Sequence, residues 1–491
     1  MNALGLLLPE LILLVGALLV FLLDVAYDTD RESGASYGLV SGLFLVVAFL
    51  AAFFQMSLEP QQAFMMDIDA FAAFIKMTVF AGMALVALAG GRYMNRRTYN
   101  QGEFWTFFLI VSLAMSILAG ANNLVLIYIT IELLSITSYM LAAFFRDELR
   151  SAEAGMKYFL YGSVASAVML YGLSFIYGAV GSLDLREVAG FFVQPDLTEE
   201  LRVAMIPATL LALAGFAFKA SLAPFYQWAP DTYEGSPTPV TTYLSTASKA
   251  AAFAVMARFF VVGLSALDVE WVPILAGLSI LTMTMGNLAA LRQNNVKRLL
   301  AYSSVAHAGY ILMGLVAVAA NAASGMDGLN GVLLYLFAYL FTNVGAFVSL
   351  MAVEETTGSV EMEAFQGLIH RAPWLAGMFT LFLLSLAGIP ATGGFLGKFF
   401  VFGAAVQHQY YWLVAIALVN AGIAAFYYLR IIRTMYFGSQ EDAGSRLELP
   451  LGMQATLLIC TLATLWIGLY PPQVLDWVNT ASQQILTAVL F

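Results

Sequence analysis

Five of the six lysines, Lys76, Lys157, Lys219, Lys249 and Lys398, fall within apolar runs long enough to cross a membrane, whereas Lys297 falls in a connecting loop. Fourteen of the fifteen arginines lie in or beside the connecting stretches. An ionised side chain at the centre of a spanning helix costs roughly 2.5–3.5 kcal/mol or more, so such residues are rare and mark ion routes. Arginine holds its proton in every protein setting, while a buried lysine can give its proton up and take it back. The pattern therefore points to reversible protonation inside a membrane. Glu132 lies nine residues past Asn123, ~14 Å into its span at 1.5 Å per residue, which is close to mid-depth. It reads as the one deeply buried acid. A deprotonated Glu132 beside Lys219 would hold that lysine charged, and weakening the pair would favour proton release.

The remaining ionisable residues divide by depth. Lys249 sits near the middle of its span, Lys398 follows a glycine-rich interruption, and His307 lies about two and a half turns beyond the basic Lys297–Arg298 pair. Lys157, three residues into its helix, suits a snorkelling role or a pathway role, and His307 a satisfied core position or a proton relay. Lys76 is expected to snorkel or pack, and Arg258 to anchor at the interface. Aromatic and methionine stripes read as packing or lipid-facing surface.

These residues need elements to hold them. The chain has 491 residues, 61% of them hydrophobic and 11% charged, with a mean hydropathy of +0.84. That composition defines a polytopic membrane protein. Fourteen spans of the length a ~30 Å bilayer core requires are predicted: 4–25, 38–56, 69–90, 104–119, 123–145, 154–178, 203–223, 239–264, 273–290, 298–319, 331–353, 374–404, 410–432 and 451–470. With alternating loops, the odd-numbered ones carry thirteen basic residues, Arg31 and Arg446 among them, and the even-numbered ones only Arg186 and Arg202. The positive-inside rule then places the odd loops in the cytoplasm and both termini outside. The first apolar run lacks a basic leader and a following cleavage pattern, so a retained helix is expected.

Pro224, Pro230, Pro237 and Pro239 crowd the stretch after span seven, and Gly388, Pro390, Gly393, Gly394 and Gly397 interrupt span twelve. At membrane depth such breaks persist only where protein or a wet cavity satisfies the freed backbone. Paired breaks in corresponding positions predict inverted repeats. The expected fold is an all-α membrane protein with two inverted five-helix repeats, spans 4–8 and 9–13, and broken helices 7 and 12. The domain reading is 1–100 for a three-helix segment, 101–265 and 266–437 for the repeats, and 438–491 for a C-terminal helix. The single cysteine, Cys460, excludes an internal disulfide or a cysteine-ligated cluster, and three scattered histidines suggest no metal site. The sequence contains no phosphate loop, dinucleotide fingerprint or nucleophile–base set, so bond chemistry is expected elsewhere.

Four stretches, KASLAPFYQWAPDTYEGSPTPVTTYLSTASKAAAF, NVKRLLAYSSVAHAGYILMG, GIPATGGFLGKFFVF and KYFLYGSVASAVMLYGLSFIYGA, resemble the antiporter-like membrane subunits of respiratory complex I. That family is shared with Mrp-type cation/proton antiporters and membrane-bound hydrogenases. Within it the chain looks most like the N-type (subunit 2) branch: it leaves no room after Phe491 for the long lateral helix of the largest member, and it has Lys398 where the M type has a glutamate. The resemblance implies that Glu132 is the helix-five acid, Lys219 its helix-seven partner, Lys249 the central lysine, His307 a linking relay and Lys398 the terminal proton-exchanging lysine. Lys157 matches a helix-six lysine. It further implies a translocase in the bacterial inner membrane whose FMN, iron–sulfur clusters and quinone are all handled by partner chains. The partners would be other antiporter-like and small membrane-arm subunits, the peripheral redox arm and the lipid bilayer, with no nucleic acid. An Mrp-type sodium/proton antiporter, a hydrogenase ion pump and a membrane-arm scaffold are the alternatives.

Overall fold

A computed structural model describes residues 3–26, 34–194, 198–318, 326–437 and 447–490; Arg31 and Arg446 lie outside them. In chain order the spans are α1 (Leu8–Ala26), α2 (Gly34–Gln55), α3 (Ala70–Arg97), α4 (Gln101–Gly120), α5 (Leu124–Ala142), α6 (Leu149–Val180) and α7 (Glu199–Ala220). A short helix, α8 (Trp228–Gly235), follows the first break, and span eight is divided into α9 (Thr238–Ser245) and α10 (Ala247–Ala257). Then come α11 (Asp268–Ala290), α12 (Val296–Val316), α13 (Gly328–Thr357), the two halves of span twelve as α14 (Pro373–Ala387) and α15 (Gly393–Gln407), α16 (Tyr411–Phe437) and α17 (Leu451–Leu469). Among the described residues thirteen helices are long and apolar enough to cross a membrane, and α14 with α15 supplies the fourteenth span. The protein is thus an all-α membrane protein. A hairpin of β1 (Gln61–Ala63) and β2 (Met66–Ile68) joins α2 to α3.

Burial sorts the spans. Span eight and α13 are wholly buried and α12 almost so, whereas α1, α2, α16 and α17 bury about a third of their residues and form the rim. A helix apolar on every side belongs at the centre of such a bundle. One helix was absent from the span count. In α18 (Pro472–Leu490), Asp476, Asn479, Ser482 and Gln484 lower the hydropathy below that of a span. It docks through polar contacts, with Ala70 N donating to Gln484 Oε1 at 2.5 Å and Asn330 Nδ2 to Asn479 Oδ1 at 2.8 Å.

The two halves share a local motif that hydropathy does not reveal. Asn123 caps α5 by accepting from Val125 N, while Leu124 N donates to Leu183 O and Leu185 N to Asn122 O. Asn295 caps α12 by accepting from Arg298 N, while Val296 N donates to Val360 O and Met362 N to Asn294 O. In each case the following long helix, α6 or α13, stops at a left-handed glycine, Gly181 (φ 76°) or Gly358 (φ 69°), where glycine avoids the Cβ penalty. α3 runs between the two clasps. Its N-cap Asp69 lies beside Asp67, which accepts from Asn122 at 3.2 Å. Its last residue, Arg97, pairs with Glu354 near the C-terminus of α13. The clasps therefore occupy opposite ends of the bundle, as an inverted repeat of five helices requires.

Three expectations for charged residues are corrected. Lys297 is in the first turn of α12, buried, and donates to Ser236 O at 2.7 Å. Arg258 does not anchor at an interface. Only 1% of its side chain is exposed, and it pairs with Asp67 at 3.1 Å and Asp69 at 2.7 Å. Burial pushes the Asp67 carboxyl up, against the pull of Arg258 and Arg186. Lys76 is fully buried rather than snorkelling, and it pairs with Glu10 of α1 at 2.8 Å.

Candidate functional site

α7 carries Lys219 in its last turn and ends at Ser221, whose backbone is left-handed (φ 59°). Lys219 is buried, and its Nζ lies 3.2 Å from both Ser135 Oγ of α5 and Tyr158 OH of α6. It makes no salt bridge with Glu132. The two residues of α5 are three apart, so Ser135 shares the side of Glu132 one turn on, and it is the serine that meets the lysine. Glu132 itself is half-buried beside exposed Leu133 and Ile136, and its Oε1 has no partner among the described residues. Among the described residues the more deeply buried acid of a span is Glu10, at 6% exposure.

Span eight has an interruption that lacks proline and glycine. Helix α9 ends and α10 begins at Thr246 (φ −123°, ψ −84°), where Ser245 and Thr246 hydroxyls both turn back onto Thr242 O. Hydroxyls that bond to their own backbone compete with the helical ladder, which accounts for the break. Lys249 follows on the first turn of α10, fully buried, and donates a short hydrogen bond to Ser304 O of α12.

α12 then presents Ser304, His307 and Tyr310 at three-residue spacing, so they line one stripe. His307 is buried, with Nδ1 2.7 Å from Tyr335 OH and Nε2 3.1 Å from Tyr428 OH. Tyr428 also bonds Ser303, and Asn287 links Tyr427 to Tyr310 at 2.9 Å on each side. Lys398 of α15 lies 5.2 Å over the Tyr310 ring. Its Nζ donates to Leu386 O at 2.8 Å and Ala387 O at 3.0 Å, the last carbonyls of α14. Those carbonyls form the negative end of a helix, where a cation is favoured.

The structure thus places Lys249, His307 and Lys398 along one stripe of α12, with Lys249 at Ser304 O and Lys398 over the Tyr310 ring. Lys219 joins from the first half. Tyr233 of α8, Ser221 and Ser304 each carry a buried hydroxyl oxygen with no hydrogen-bond partner among the described residues. Lys157 is placed apart, 38% exposed at the end of the bundle, where it pairs with Glu153 and Asp231, each at 2.7 Å. Tyr158, Tyr310, Tyr335 and Tyr428 were read with the aromatic packing surface, yet their hydroxyls or rings meet the lysines and the histidine directly. Their helical spacing looked like core because a buried tyrosine satisfies both descriptions. Among the described residues no cluster of three or more His, Cys, Asp or Glu is arranged to hold a metal ion.

A bundle with two broken spans and a buried Lys–His–Lys line defines the antiporter-like class of membrane protein. The sequence profile of the NADH:quinone oxidoreductase/Mrp antiporter transmembrane family matches residues 121–424, more than half of the chain, and the protein belongs to that family. It is 40% identical over 404 residues to NADH-quinone oxidoreductase subunit N of Moorella thermoacetica, covering 82% of this chain and 83% of that one. It is 37% identical over 484 residues to subunit N 1 of Solibacter usitatus, covering 97% of each. Among solved structures, a chain of respiratory complex I from Thermus thermophilus is similar at a TM-score of 0.79 and 30% identity, over 95% of this chain and 98% of that one. A chain of the Mrp complex from Dietzia shares the fold at a TM-score of 0.85 and 20% identity, with both chains fully covered.

Proposed function

We propose that this chain is the N-type proton-translocating membrane subunit of a bacterial NADH:quinone oxidoreductase. Redox chemistry at FMN, iron–sulfur clusters and quinone belongs to partner subunits; this chain makes and breaks no covalent bond except to protons. The observation that supports the reading is the α12 stripe, where Ser304 O accepts from Lys249, His307 bonds Tyr335 and Tyr428, and the Tyr310 ring lies under Lys398. In the proposed route, Lys219 takes a proton and passes it by way of Tyr233 and Ser304 to Lys249. His307 relays it, and Lys398 releases it at the second break. Glu132, one turn from Ser135, biases Lys219 through its field and not through contact. Lys157 belongs to the entrance. The two halves act as repeats over 101–265 and 266–437, after a leading segment over 1–100.

The chain lies in the bacterial inner membrane beside other antiporter-like and small membrane-arm subunits, with the peripheral arm driving it. The thirteen-to-two excess of basic residues in odd loops supports cytoplasmic placement of those loops and outside placement of both termini. Three measurements test this. The chain should co-purify with NADH- and quinone-reactive subunits; co-purification with a set lacking them would favour the antiporter. Loss of Lys219 and Lys249 together should abolish NADH-driven proton uptake by inverted vesicles at equal assembly, and normal uptake would leave only a scaffold. Cysteines replacing Arg96 or Arg292 should label from the cytoplasm, and one replacing Asp268 from outside.

A further inference from the structure

At the second break the ammonium of Lys398 sits in a cradle of three groups. Leu386 O and Ala387 O accept from it at 2.8 and 3.0 Å, and the face of the Tyr310 ring lies 5.2 Å from it, centroid to Nζ. The two carbonyls belong to the last turn of α14 and are held by that helix. The ring is different, because it hangs on a side chain of α12 and attracts a cation only while its face is turned toward it. The cradle is therefore only as firm as the hold on the hydroxyl end of Tyr310.

That hold is Asn287 of α11, fully buried, whose Nδ2 lies 2.9 Å from the Tyr310 hydroxyl. Its neighbours fix which way the bond runs. One end of the Asn420 side chain on α16 lies 3.1 Å from both Ile416 O and Thr284 Oγ1. A main-chain carbonyl can only accept, so that end is the amide nitrogen. The other end of Asn420 is then the oxygen, and it faces Asn287 at 3.2 Å, where it must meet a nitrogen. The same nitrogen donates to Tyr310, and the Tyr310 oxygen accepts. On the opposite side the Asn287 oxygen takes the Tyr427 hydroxyl at 2.9 Å. Both N–H bonds and the oxygen of Asn287 are engaged, and a flipped amide would set oxygen against oxygen at Asn420. The node has one arrangement. The backbone beside it is as closely set. Gly286 precedes Asn287 and Gly309 precedes Tyr310; a Cβ on Gly286 would lie 2.6 Å from Ala306 N, and one on Gly309 2.5 Å from Met283 N. Ser279 Oγ crosses the same seam to Gly309 O at 2.7 Å. α11 and α12 thus touch at backbone distance at two levels beside the pair, and packing this close leaves the helices no room to slide.

We propose that Asn287 is a positioning residue for Lys398: locked by Asn420 and Tyr427, it pins the Tyr310 hydroxyl so that the ring stays beneath the ammonium, and proton transport depends on that pin. Asn287 itself touches neither the lysine nor the transported proton, and it acts through Tyr310 alone. This rests on Lys398 being a proton-carrying site.

The test uses three single variants in the assembled complex. Asn287→Leu removes the pin at similar volume, and Tyr310→Phe removes its target while keeping the ring. Tyr427→Phe breaks a bond of the same length on the other side of the same amide and leaves the pin in place. At equal assembly, the first two should each lower NADH-driven proton transport about three-fold or more, and Tyr427→Phe should change it less than about 1.5-fold. Combining Asn287→Leu with Tyr310→Phe should cost no more than the worse single, because both remove one interaction. Multiplied losses in the double variant, or a Tyr427→Phe loss as large as that of Asn287→Leu, would make the node a general staple and overturn the proposal. A second readout does not need pumping. A small membrane-permeant isothiocyanate reacts with a free amine and spares a cradled ammonium, so modification of Lys398, followed by peptide mass spectrometry, should rise about three-fold or more in Asn287→Leu and Tyr310→Phe and stay level in Tyr427→Phe. Unchanged modification overturns the pin, and raised modification with normal transport overturns its part in transport. Lys398→Ala separates the two ideas: if it pumps normally the proposed proton route fails, whereas if it is inactive and Asn287→Leu is silent, only the pin fails.

Discussion

The two helix breaks solve the same problem with different groups. After α7, the backbone turns through left-handed Ser221, Leu222 N returns to Ala217 O at 2.7 Å, and the Trp228 indole takes Phe218 O. Only neutral donors satisfy that end, and Lys219 turns away from it toward two hydroxyls. After α14, Gly388 N takes Leu384 O and Ser385 O, but Leu386 O and Ala387 O are left to the ammonium of Lys398. The first break therefore shields its lysine from the freed carbonyls, and the second binds its lysine with them. A charge held by fixed carbonyls is solvated without water. A charge held by rotatable hydroxyls depends more on its neighbours. The comparison assigns Lys219 to the responsive end of the route and Lys398 to the anchored end.

The largest effect should come from Lys398. If it must release its proton, Lys398→Arg will fail nearly as badly as Lys398→Ala, with proton transport down tenfold or more at equal assembly, because arginine keeps its charge. Full transport with arginine would reduce Lys398 to a fixed cation. Lys398→Glu, which can also titrate, should keep partial transport. Next in size, Lys219→Ala and Glu132→Ala should each impair transport several-fold with assembly largely intact. Ser135→Ala should cost less than either, since Tyr158 still meets the lysine. If Ser135→Ala proved silent while Glu132→Ala abolished transport, a direct acid–lysine pair would form during turnover.

The breaks themselves should respond in opposite senses when a Cβ is added at one left-handed position and removed at the other. Gly388→Ala places a Cβ 3.0 Å from Lys398 Cδ at φ 91°, and a non-glycine residue with left-handed backbone costs roughly 1–2 kcal/mol. It should lower both thermal stability and transport. Ser221→Gly relieves the same kind of backbone strain at φ 59° and should leave stability equal or higher. The smallest effect is expected from Trp228→Phe, which keeps a ring on Tyr158 but frees Phe218 O. The loss of about 1 kcal/mol for one hydrogen bond should appear as a modest fall in melting temperature of the complex.

Much of this was legible in the chain because the signals were of the kind a bilayer imposes. Long apolar runs gave every span, and clustered proline and glycine located both breaks to within a few residues. Lysines inside those runs stood out as pathway candidates for the same reason. What stayed hidden depended on contacts between distant segments. The sequence leaves Lys76 to snorkel or pack and Arg258 to anchor at the interface because their partners, Glu10 and the Asp67–Asp69 pair, are far from them in sequence. The Thr246 interruption lacks the usual breakers and rests on hydroxyl bonding. Position along a helix says nothing about which face a residue occupies, and Ser135, one turn from Glu132, is the residue that meets Lys219. The polar helix α18 is hidden because Asp476, Asn479, Ser482 and Gln484 lower its hydropathy below that of a span.

The twin asparagine clasps bear on how the chain is built into a membrane. Each clasp joins the beginning of one span to the residues just past the end of the next, α5 to α6 and α12 to α13, so each closes the open end of a helical hairpin. Such a hairpin holds its own ends together without waiting for the rest of the bundle. Because the clasps face opposite ends, one is completed only after its segment has been carried across the bilayer, while the other closes on the side of synthesis. The two hairpins can then enter as separate prefabricated units, and the order in which they set is fixed by which side of the membrane each clasp must reach.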